Sequence, residues 1–281
     1  MSKTNRWWPA LVVLIVVAAG LYLYLARSPE PVQPPPEPSS PRDASSAEAI
    51  EHPIEDIGLN APQGGAAAGE IPTLDASDAS VEGAATDLLG GEVVLGLVNS
   101  GDYIRKIVAT VDNLARDRTS ARLWPVQPAP GRFTVRQEDE RTYLSAENFQ
   151  RYSPFVDLAT SVDTEKLVAL YVRYYPLFQQ AYEDLGYPRR YFNDRVIEVI
   201  DNLLATPDPG DTIELVLPPQ DPSVEVARPW VLYEYADPAL RSLSAGQKVL
   251  VRMGAENASR VKTKLRELRK RLAAESPAPT A

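Results

Sequence analysis

The chain has 281 residues, 44% of them hydrophobic and 24% charged, with a formal net charge of −9, no cysteine and one histidine. That balance is globular rather than fibrous, and the missing cysteine excludes disulfide scaffolds, thiolate nucleophiles, Cys-ligated zinc and iron–sulfur clusters. The lone His52 rules out multi-His metal sites and leaves a Ser-His-Asp triad without support, so any catalysis has to rest on carboxylates, lysines or hydroxyls.

From Trp7 to Leu25 the sequence WWPALVVLIVVAAGLYLYL runs 19 residues without a charge. At 1.5 Å of rise per residue it spans roughly 28 Å, the hydrocarbon thickness of a bilayer. Leu11, Leu14, Val17 and Leu21 supply apolar bulk, while Trp7 and Trp8 at one end and Tyr22 and Tyr24 at the other form aromatic belts. A cleaved signal peptide needs a shorter apolar stretch closed by small residues; here Ala18, Ala19 and Gly20 are followed by more apolar sequence, so the segment reads as an uncleaved anchor. Lys3 and Arg6 precede it and the chain turns acidic beyond Arg27, which places residues 1–27 as a cytoplasmic stub and membrane span. Everything that follows is then exported; in a bacterium that is the periplasmic side of the inner membrane.

Residues 28–70 carry nine prolines and eight acids against one base, Arg42. Such a segment buries too little apolar area to offset its ordering entropy and reads as a disordered Pro/Ala/acidic linker. SPEPVQPPPEPSSP favours polyproline II, which suits a spacer and equally a ligand for an aromatic groove on a partner.

The expected folded domain covers 71–275, with 276–281 a disordered tail. Asp75 or Ser77 is placed to cap a helix running to Leu89, and Asn99, Ser100 or Asp102 to cap YIRKIVATVDNL, whose Ile104, Ile107, Val108, Val111 and Leu114 share one face. RFTVRQEDERTYLS reads as a small hairpin turning at Glu138, Asp139 and Glu140. Ser145 starts a helix over about 146–160. Asp163 then caps the strongest helical signal, in which Leu167, Leu170, Tyr171, Tyr174, Tyr175, Phe178 and Tyr182 form a stripe of the 3.6 period. Pro176 predicts a kink, Gly186 the end of that helix, and Pro188 the restart of another that carries Val196, Ile197, Val199, Ile200, Leu203 and Leu204. IELVLPP and WVLYEYA are short strand candidates, and ADPALRSL, SAGQKVLVRM and GAENASRVKTKLRELRKRL are helical. The class is mainly α, an α-rich α+β arrangement: a multi-helix soluble domain with a small β-hairpin behind one N-terminal transmembrane helix.

The strings ATVDNLARDR, LWPVQPAPGRF, YPLFQQAYEDLGYPRRYFNDRVIEVIDNLLATP and LSAGQKVLVRMGAENASRVKTKLRELR, in that order behind an anchor, resemble a bacterial family filed as domain of unknown function 3014. The resemblance covers most of 72–272. It implies a bacterial envelope location and no particular activity.

Three groups of residues can carry chemistry. Asp194, Glu198 and Asp201 stand at i, i+4 and i+7 on one helix, with Glu183 and Asp184 near the end of the preceding one. They read either as a carboxylate pair for glycoside cleavage or an oxygen-ligand site, or as a solvated face ion-paired to Arg189, Arg190 and Arg195. Tyr171, Tyr174, Tyr187 and Tyr191, with Tyr175, Tyr182 and Phe192, read either as a glycan-stacking groove or as core. Between 248 and 271, nine bases outnumber two acids, a face for anionic headgroups or acidic partners, or a solvated surface. VRMGAENASRVKTKLREL resembles the second half of a helix-hairpin-helix, but Arg252 and Met253 stand where its first glycine belongs. The acidic balance and the exported location both oppose nucleic acid as a partner. The reading is therefore an envelope interaction or scaffold protein with one membrane span and a protein partner. The alternative is a domain that binds or processes peptidoglycan or another glycan through the carboxylates and tyrosines. No metal or other cofactor is expected.

Overall fold

The computed structural model describes residues 49–58, 71–89, 101–117, 131–210, 212–218 and 232–273. The expected anchor at 7–25, most of the linker, EVVLGLV, residues 123–130 of LWPVQPAPG and the C-terminal tail lie outside them. Among the described residues no helix is long and apolar enough to cross a membrane.

The helices are α1 (Ile54–Gly58), α2 (Asp78–Leu89), α3 (Tyr103–Leu114), α4 (Glu147–Ser161), α5 (Thr164–Asp184), α6 (Phe192–Leu204), α7 (Pro238–Arg241), α8 (Ala245–Arg252) and α9 (Ala255–Leu272). The strands are β1 (Val135–Glu138), β2 (Arg141–Leu144), β3 (Glu214–Val216) and β4 (Glu234–Tyr235). The domain is thus mainly helical, and the expected hairpin is half of a four-stranded antiparallel sheet in the order β1-β2-β3-β4.

The helical body is organised by the apolar stripes. Ile104, Val108, Val111 and Leu114 of α3, and Val196, Val199, Ile200 and Leu203 of α6, are all buried, as are Tyr174, Tyr175, Phe178 and Tyr182 of α5. Val261, Leu265 and Leu268 bring α9 onto the same core, where it packs against α4 and α6. A second, smaller cluster of Leu144, Ile213, Leu215, Tyr235, Leu240 and Val251 lies under the sheet. An apolar cavity of about 90 Å³ remains in the helical core, bordered by Val81, Val168, Val196 and Ile200 and by Tyr171 and Tyr174.

Local chemistry explains most boundaries and corrects several. The Asp163 carboxylate accepts the Lys166 N–H at 3.0 Å, the expected cap of α5. Helix α3 is capped differently: Asp102 makes no side-chain cap, and Asp78 of α2 accepts the N–H groups of Asp102 and Tyr103 at 2.8 and 3.1 Å. Helix α5 continues through Pro176 to Asp184, and Gly186 just beyond it takes a φ of +113° that no β-carbon accommodates well. Pro188 does not restart the helix. Residues 187–191 form a turn, and α6 begins only at Phe192.

In the β1–β2 turn, Asp139 and Glu140 have φ of 46° and 65°, the left-handed pair that matches the twist of the strands. Between α8 and α9 the chain reverses at Gly254, φ +80°.

The N-terminal boundary also needs correction. Residues 49–58, linker by composition, include a helix whose Ile57 is 3% exposed within the main core. Acidic flanks mask the segment, because two isoleucines, Ile54 and Ile57, supply its apolar contact.

Candidate functional site

A polar concavity surrounds the elbow between α5 and α6. Its frame is aromatic: Tyr182 stacks on Tyr187 with centroids 4.6 Å apart, Phe178 on Phe192 at 5.9 Å, and Tyr175 lies against Tyr191 at 5.3 Å. Gln179 fastens the turn to α5, donating to the Arg190 carbonyl and accepting the Phe192 N–H at 2.9 and 2.8 Å. The Asn193 N–H donates to Tyr175 Oη at 3.2 Å, which joins the start of α6 to the same helix.

Outside this frame an open groove of about 730 Å³ is lined by Arg189, Arg190, Tyr191, Asp194, Arg195 and Glu198, and by Ala49, Ile50 and Glu51 from the N-terminal segment. The six elbow residues among them, all singled out from the sequence, therefore share one concavity. Within it Glu198 pairs with Arg195 at 2.7 Å. Asp194 accepts the backbone N–H groups of Glu51 and His52 at 3.2 and 2.8 Å.

The other candidates are elsewhere. Asp201 forms a two-point ion pair with Arg269 of α9 at 2.5 and 2.9 Å. Glu183 accepts from Gln179 Nε2, and Asp184 lies 3.9 Å from Arg105. Tyr174 shares a hydrogen bond with Ser80 Oγ, and Tyr171 donates to Asn193 Oδ1; both border the apolar cavity rather than the groove. Tyr187 is half-buried and donates to Asp112 at 3.3 Å. Among the described residues no three His, Cys, Asp or Glu side chains gather closely enough to hold a metal ion. The anchor residues Trp7 to Tyr24 lie outside the described residues.

Beneath the groove sits a buried charge cluster that the residue pattern alone did not single out. Asp112 accepts from Arg116 at 2.5 Å and from Arg195 Nε at 3.1 Å, and its carbonyl accepts from Arg195 Nη2 at 2.7 Å. Arg116 also donates to the Tyr187 hydroxyl. Burial opposes the Arg195 charge, yet Glu198 and Asp112 outweigh it and its pKa is raised. Burial pushes the Tyr182 phenol up to about 12, with Asp112 adding to the effect. Tyr171, Tyr175 and Tyr191 are raised as well, each chiefly by burial. An acid inside the apolar run IVATVDNL was the available signal for this cluster.

The basic C-terminal helix is largely consumed by docking. Arg260 pairs with Asp157, Arg269 with Asp201 and Arg271 with Glu165, while buried Lys264 donates to the Val162 carbonyl. Its charges fasten α9 to α4, α5 and α6.

No curated protein and no solved structure matches this chain. Residues 103–269, more than half of the sequence and including the whole elbow, match the family described as "Protein of unknown function (DUF3014)", to which the chain belongs.

Proposed function

We propose that this chain is a single-pass inner-membrane protein of the bacterial envelope that presents its helical domain to the periplasm and binds a protein partner through the α5–α6 elbow. The anchor-like segment at 7–25 and the acidic Pro-rich stretch behind it support the location. One observation carries the interaction reading: the elbow already holds a piece of polypeptide by its backbone, at Asp194, Tyr191 and Asn193. Recognition of main-chain groups is one established basis of peptide capture.

The test is detergent isolation of the full-length protein from its native membrane beside the variant Arg189→Glu/Arg190→Glu. A stoichiometric protein that copurifies with the native chain and is lost from the variant supports the reading; recovery of the native chain alone overturns it. Protease accessibility of the domain in spheroplasts checks the orientation. A glycan-binding or glycan-processing reading draws on the sharing of one groove by Tyr191, Asp194 and Glu198. It predicts cosedimentation with peptidoglycan that Tyr191→Ala abolishes.

A further inference from the structure

Residues 49–58 lie on the elbow as a ligand lies on a receptor. Their polar partners there are 137 to 143 positions away in sequence. Each of these contacts joins the main chain of the segment to a side chain of the elbow. The Glu51 and His52 N–H groups donate to Asp194, the Ile54 N–H donates to Tyr191 Oη at 2.8 Å, and the His52 carbonyl accepts from Asn193 Nδ2 at 2.9 Å. Two apolar anchors add specificity: Ile57, buried in the core, and Ile54, half-buried beside it. Glu51, Glu55 and Asp56 are exposed.

Part of the receptor half is also held by contacts outside the segment. Asn193 is 0% exposed, and its side chain also donates to the Leu272 carbonyl at 3.2 Å and accepts from Tyr171. Tyr191 is held through its ring against Tyr175, and the Phe192 N–H is bound by Gln179. Contacts among α5, α6 and α9 therefore help to position Asn193 and Tyr191, two of the three side chains that read the backbone.

We infer that the elbow is a peptide-binding site whose resident ligand is the chain's own 49–58 segment. The partner it fits is a protein segment of the same chemistry: acidic, irregular at its start, then turning into a helix with isoleucines three positions apart, as in Ile54-Glu55-Asp56-Ile57. This deepens the interaction reading above, on which it rests, by naming the partner's class and its regulation. The partner has to displace a strap joined to Ile71 by only the 12 residues 59–70. A ligand on so short a connection competes at an effective concentration of about 1 mM, enough to weaken a 1 µM site roughly a thousandfold towards any free peptide.

The test titrates a fluorescein-labelled peptide of residues 46–58 with three purified full-length proteins: the native chain, the strap variant Ile54→Asp/Ile57→Asp, and that variant also carrying Asp194→Ala. Fluorescence anisotropy is expected to show binding to the strap variant at least a hundredfold tighter than to the native chain, and loss of that binding with Asp194→Ala. A strap variant that keeps its circular dichroism and binds no tighter overturns the inference, as does one that cannot fold, because the segment is then part of the core. Hydrogen exchange on the native chain gives an independent reading. The Glu51, His52 and Ile54 amides are expected to open well before those of Val199 and Ile200; exchange only through global unfolding also overturns it. If the peptide fails while a partner is captured through Arg189 and Arg190, the self-ligand idea falls and the interaction reading stands.

Discussion

Arg195 Nε of α6 meets the Asp112 carboxylate of α3 at 3.1 Å in the seam between the two helices, where Asp112 is 3% exposed. Arg116 and Tyr187 converge on the same acid, so one buried negative charge ties α3, α6 and the elbow turn together. Removing the acid leaves Arg195, whose side chain is only 12% exposed, with the exposed Glu198 as its remaining ion-pair partner. Asp112→Asn is expected to destabilise the protein by about 3 kcal/mol, as for other broken buried pairs. Asp201→Asn removes a pair with Arg269 that is nearly half exposed and should change stability by no more than about 1 kcal/mol. Urea denaturation of the two variants measures the contrast; equal effects would show that burial of the Asp112 cluster is not what matters.

Tyr175 combines ring burial with polar positioning, since its hydroxyl accepts the Asn193 N–H and donates to Gln179. Tyr175→Ala is expected to cost about 3 kcal/mol or more and to lower Tm by roughly 10 °C for a domain of this size. Tyr175→Phe keeps the ring and loses the two hydrogen bonds, a cost of about 1–2 kcal/mol. Thermal melts of both variants check the order, and an unchanged melt for Tyr175→Ala would place the ring outside the core.

Two helical glycines should respond oppositely to alanine. A β-carbon on Gly246 of α8 would lie 2.5 Å from Leu203 Cδ2 and 3.0 Å from the Leu114 carbonyl oxygen, so Gly246→Ala has to push α8 off α3 and α6. A loss of about 1–3 kcal/mol is expected. Around Gly83 of α2 nothing lies within 4 Å, and Gly83→Ala should stabilise by up to about 1 kcal/mol through lower chain entropy. Chemical denaturation curves settle both signs.

Alkaline pH should unfold the domain through its tyrosines. A phenol in the unfolded chain ionises near 10, whereas burial holds Tyr182 at about 12 and raises Tyr171 and Tyr175 in the same direction. The unfolded state therefore releases protons first. The stability these rings contribute is intact below about pH 10 and is lost as the pH rises towards 12. Tyrosinate absorbance is expected to rise in step with loss of the circular-dichroism signal. Gradual ionisation near pH 10 with unchanged dichroism would show that the rings are open to solvent.

The helical stripes were legible because a buried face imposes the 3.6 period on its own residues, as at Ile104, Val108 and Val111 or at Val196, Val199 and Ile200. The Asp163 cap was legible for the same local reason, since its partner is three residues away. Capping of α3 by Asp78 was not, because donor and acceptor are 24 and 25 positions apart. Asp194, Glu198 and Asp201 stand on one helix, as their spacing placed them. Their fates diverge, with Asp194 on the strap, Glu198 on Arg195 and Asp201 on Arg269, because different neighbours lie along the helix.

Local periodicity and composition thus determined the class of this protein and the placement of most helices, while particular residue strings carried the family resemblance. Tertiary structure alone decided that Arg189, Tyr191, Asp194 and Glu198 share a groove, that Asp112 lies buried beneath it, and that a segment of linker composition packs across its edge. The physical reason is range: periodicity reports which face of an element is buried, whereas a site is made by side chains whose partners are set by the packing of distant elements, as with His52 on Asp194, 142 positions away.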